Sequence, residues 1–66
     1  MSDEADIYRA AEMIVDQRGK RAMDFAVGRA IKLLKEQDVD GAILWRRIIE
    51  AIGELQRGRQ SAAAVN

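Results

Sequence analysis

Apolar positions in this 66-residue chain recur at three- and four-residue spacing, the helical period, in three successive stretches. Ile7, Tyr8, Ala10, Ala11, Ile14 and Val15 fall on one face of a first predicted helix, over about residues 3–18, and Met13 falls outside that stripe. Ala22, Met23, Ala26, Val27, Ala30, Ile31, Leu33 and Leu34 share a broad face of a second, over about 20–37. Leu44, Trp45, Ile48, Ile49, Ala51, Ile52 and Leu55 line a third, over about 40–57, with Arg46, Arg47, Glu50, Glu54 and Arg57 opposite. The spacing predicts an all-α fold, a three-helix bundle of antiparallel helices of similar length.

Punctuation supports those limits. Ser2 suits an N-cap, and Asp3, Glu4 and Asp6 suit the positive end of the helix dipole. Gly19 reads as the C′ glycine of the first helix, because the apolar stripe would jump by roughly a third of a turn if the helix ran straight through it. Against a clean break, Lys20 and Arg21 make a poor, uncapped helix start. Asp40 as N-cap of the third helix would set Val39 and Leu44 as a hydrophobic staple, and Asp38 is the other candidate cap. Gly58 closes that helix, so residues 1–58 form one domain and residues 59–66, without amphipathic pattern, are expected to fray.

Composition narrows the chemistry. With no proline and much Ala, Leu, Ile, Glu, Lys and Arg, the chain is helical in propensity throughout. With no cysteine and no histidine, disulfides, thiolate sites and the commonest metal ligand and general base are missing. The serines, Ser2 and Ser61, stand near the ends, and there is no threonine, so no nucleophile sits beside a base. Glu12 with Asp16, and Glu50 with Glu54, are carboxylates four apart on a helix face; a hard cation wants about six oxygens, so solvated surface is the better reading. No catalytic, cofactor or metal site is expected. No apolar run reaches membrane-spanning length and the start is acidic, so the expected setting is the cytoplasm.

Charge sums to zero but is segregated. Asp3, Glu4, Asp6, Glu12 and Asp16 face only Arg9 in the first segment, while Arg18, Lys20, Arg21, Arg29, Lys32 and Lys35 face only Asp24 in the second. Opposite charge suggests that these two segments lie against each other. Arg46 and Arg47, with the Arg21/Arg29/Lys32 face, form the candidate surface for a nucleic-acid-associated regulator. Glu50 and Glu54 share the arginines' face, where they would pair with them at three- and four-residue spacing and repel a phosphate backbone.

Two aromatics remain. Trp45, among Ile48, Ile49 and Ile52, reads as a core anchor. Phe25 points off the second apolar face among Arg21, Gly28, Arg29 and Lys32. It either packs on the third helix at the core's edge, with Gly28 unconstrained, or forms a patch that meets another chain, with Gly28 permitting close backbone approach and Met13 and Ile43 widening the contact. The second apolar stripe spans about half its helix, more than a three-helix monomer need cover. A non-catalytic interaction or adaptor protein, homodimeric or part of a larger assembly, is therefore preferred over nucleic-acid binding.

The run Asp38-x-x-Gly41-x-x-x-Trp45-x-x-Ile48-x-x-Ala51-Ile52-x-x-Leu55 resembles the C-terminal signature of small alphaproteobacterial helical proteins. Upstream, Ala11-x-x-Ile14-Val15-x-x-Arg18-Gly19 is similar to their first-helix ending, and Ala22, Ala26 and Ala30 to their alanine-rich second helix. The resemblance covers about residues 7–57 and departs at Gln37, where glycine is usual, and at Arg18, where histidine is frequent. It implies a helical fold and a bacterial cytoplasm, and implies no activity.

Overall fold

The computed structural model describes the backbone of residues 4–64 and the side chains of residues 4–58. Those residues hold α1 (Glu4–Arg18), a single 3-10 turn (Gly19–Arg21), α2 (Ala22–Lys35) and α3 (Val39–Ala64), with no strand among them. Helix therefore occupies two stretches of chain, 4–35 and 39–64. The N-cap expected at Ser2, and Asp3 beside it, lie outside the described residues.

At the first junction the chain turns without leaving helical hydrogen bonding. Gly19 takes φ 55°, the left-handed conformation that glycine adopts without steric cost. No side chain caps the start of either the 3-10 turn or α2. Instead the Ala22 N–H donates to the Gly19 carbonyl, and the 3-10 turn itself starts α2. The Gln56 side-chain amide donates to the same carbonyl at 3.4 Å, tying the turn to α3.

The second junction, Glu36–Asp38, is a Schellman motif. The Asp38 N–H donates to the Leu33 carbonyl at 2.8 Å and the Gln37 N–H to the Leu34 carbonyl at 3.0 Å. The left-handed position is Gln37, at φ 62°. Asp38, not Asp40, then caps α3: its Oδ1 accepts the Gly41 N–H at 3.0 Å, and its carbonyl accepts the Ala42 N–H at 3.0 Å. A Cβ on residue 41 would stand 2.6 Å from Asp38 Oδ2, so glycine there leaves room for the cap.

The three-helix bundle expected from the periodicity is corrected in three respects. The helices are unequal, with 15 and 14 residues in α1 and α2 against 26 in α3. No non-helical residue separates α1 from α2. Finally, α1 and α2 each pack on α3 and touch each other little, so the acidic first segment does not lie along the basic second one. Nor does α3 stop at Gly58; its backbone stays helical to Ala64, through the stretch expected to fray, and Val65 and Asn66 lie outside the described residues. The Cα radius of gyration is 12.6 Å, above the ~11 Å usual for this length, because α3 sets a 45 Å long axis on a body only 16 Å thick.

The core is narrow. Ile7, Ala11, Val15, Ala22, Ala26, Ala42, Ile48, Ala51 and Ile52 are buried, and more than half of these are alanines. Alanine lets helices approach to the short end of the 8–10 Å interaxial range but contributes little apolar area. Tyr8, Ile14, Met23, Leu44, Trp45, Ile49 and Leu55 pack around this seam, half-buried.

Candidate interaction surface

α2 divides its apolar residues between two sides. Ala22 and Ala26 are buried and Ala30 half-buried toward α3, while Val27, Ile31 and Leu34 are 38, 48 and 59% exposed. The sequence pattern assigned all of them to one core-facing stripe; three of its eight residues, Val27, Ile31 and Leu34, face outward instead. Ala30, Leu34, Val39, Ala42, Ile43 and Ile49 line an open groove between α2 and α3, with Arg46 at its edge. Val39 and Ile43 are 60 and 51% exposed, so the apolar surface of α2 continues onto the first turns of α3.

Phe25 does not stand free. Its ring meets the Trp45 ring edge-to-face, centroids 5.9 Å apart and planes at 74°, a preferred aromatic geometry. The Arg18 guanidinium lies 3.7 Å from the Phe25 centroid, and that of Arg29 lies 5.6 Å from the Trp45 centroid. Both rings are half-buried. Of the two roles open to Phe25, packing at the edge of the core on α3 is the one seen. Trp45 sits beside it at that edge; among the described residues the large side chain that is fully buried is Ile52.

The remaining candidate residues scatter. Arg21, Gly28, Arg29 and Lys32 are exposed along the 3-10 turn and α2. Met13 is 54% exposed on α1. Ile43 belongs to the α2–α3 groove and not to the surroundings of Phe25. The residues that sequence reasoning missed as surface are Val27, Ile31, Leu34 and Val39. Their signal was the excess width of the second stripe.

A polar cleft lies on the other side of α3, lined by Glu4, Tyr8, Arg47, Glu50 and Glu54. The Tyr8 hydroxyl donates to Glu54 Oε2. Arg46 and Arg47 make no ion pair with Glu50 or Glu54 among the described residues, contrary to the pairing expected from their spacing. Among the described residues no three acidic side chains gather as a metal site would need. No helix among them is long and apolar enough to cross a membrane. Compared with known protein families, with curated proteins and with solved structures, the chain matches none.

Proposed function

We propose that this chain is a non-catalytic interaction protein that acts by pairing with a second copy of itself. The observation that carries this reading is the contiguous apolar face of Val27, Ile31, Leu34, Val39 and Ile43, each more than a third exposed. Exposed apolar residues that gather on one face, as opposed to those scattered singly, mark contact surfaces. The alanine-rich core supports the same reading, since a domain of this size gains much of its missing stability by burying surface against a partner. Arg29 lies over the Trp45 ring, which engages one of the bases that a nucleic-acid surface would use.

Sedimentation across a micromolar to near-millimolar range tests the reading. The wild-type mass is expected to rise from 7.4 kDa toward twice that value. Leu34→Glu should stay monomeric with its helical circular dichroism intact, because Leu34 is mostly solvent-exposed in the single chain. A wild-type mass fixed at one chain throughout overturns it.

A further inference from the structure

The outward face of α2 carries its own complement. Asp24, Gly28, Ile31 and Lys35 follow at steps of four, three and four residues and are all exposed. At about 100° per residue they fall within an arc of roughly 60°. Val27 and Leu34 run alongside, giving the two-column seam of a helix that packs against another helix. Asp24 and Lys35 are equidistant from the point between Arg29 and Ala30, and so are Gly28 and Ile31. A two-fold axis through that point, perpendicular to α2, places a second α2 antiparallel to the first. It sets each Asp24 against a Lys35 and each Ile31 against a Gly28.

We infer that the homodimer proposed above forms by this antiparallel α2–α2 pairing; the inference rests on that reading and specifies its geometry. Two features support it. Charge is complementary: one acid and one base end the same stripe, and neither takes part in an ion pair among the described residues. Shape is complementary: nothing lies within 4 Å of a Cβ built on Gly28, so this interior glycine serves no contact inside the chain yet leaves a hollow beside Ile31.

The geometry makes opposite demands on single and paired substitutions. Asp24→Lys sets two lysines together at each end of the seam, and Lys35→Asp sets two acids together. Each should weaken dimerisation by about tenfold at low ionic strength, and less in high salt. Asp24→Lys combined with Lys35→Asp in one chain restores opposite charges across the axis, and the dimer constant should return to within a few-fold of wild type. Gly28→Leu fills the hollow; the chain should keep or gain helicity while the dimer is lost. Sedimentation of the four variants beside the full-length wild type reads all of this. A wild type that dimerises while the single charge variants and Gly28→Leu dimerise equally well overturns the antiparallel pairing and leaves self-association standing. A wild type that never dimerises overturns both.

Discussion

Gln37 holds a backbone conformation that suits glycine. A non-glycine residue in the left-handed region bears a cost of ~1–2 kcal/mol, offset in part by the smaller chain entropy it loses on folding. Gln37, at φ 62°, sits where the Schellman motif most often places glycine. Gln37→Gly is therefore expected to stabilise the chain by about 1 kcal/mol in denaturant unfolding. One residue on, Asp38→Ala removes the carboxylate that accepts the Gly41 N–H and should cost about 1 kcal/mol. Gly41→Ala would gain about 1 kcal/mol of helix propensity but drive its Cβ into that same carboxylate, so the two effects should nearly cancel. A loss on Gln37→Gly would show that the glutamine side chain makes a contribution beyond its backbone. The turn was legible as a turn from Asp38 and Gly41. The choice of Asp38 over Asp40 was not, because the αL residue that sets the register is a glutamine and gives no signal of its own.

Between elements, the alanines of α2 mark where it approaches α3 most closely. Close packing of α2 on α3 admits alanine at residues 22 and 26, both fully buried, and leaves Val27, Ile31 and Leu34 on the far side. Ala26→Leu should overpack that seam and cost about 1–3 kcal/mol at dilutions where the chain is single. Val27→Gln, its neighbour in sequence, should cost under about 0.5 kcal/mol there, and should weaken self-association instead. Urea titrations of the two variants compare them directly; equal losses would mean that Val27 belongs to the core. Periodicity identified which residues of α2 are apolar but not which half of so wide a stripe packs inward. A wheel records hydrophobicity, and interhelical distance depends on volume. For Phe25 the wheel was nearer the mark: it lies off the stripe, yet α3 brings Trp45 to it, and Arg18 covers what remains of its ring. The helical extension of α3 past Gly58 was missed for a related reason. The Arg59–Ala64 run lacks an amphipathic pattern, but its alanines have the highest helix propensity of any residue.

On the scale of the whole molecule, a body 16 Å thick cannot enclose a deep interior. Each large buried aliphatic contributes about 1.5–3 kcal/mol, and there are few of them: Ile7, Val15, Ile48 and Ile52. Ordering the backbone alone opposes folding by about 1–2 kcal/mol per residue, so the single chain should be only marginally stable. If two copies bury the α2 face together, association and folding are linked, and stability becomes a function of concentration. A tenfold rise in concentration is worth ~1.4 kcal/mol per dimer. With an unfolding entropy of ~2.1 cal/mol/K per residue, that should raise the melting temperature by a few degrees for each tenfold step. Ile31→Glu removes the apolar centre of the seam while altering a residue already 48% exposed in the single chain. Its melting temperature should be lower than the wild type's at high concentration and independent of concentration. The two curves should converge as the wild type is diluted below its dissociation constant. Convergence would locate the stabilisation in the contact between copies. A constant gap at every dilution would locate it inside the single fold, and would make Ile31 part of a core larger than its exposure allows.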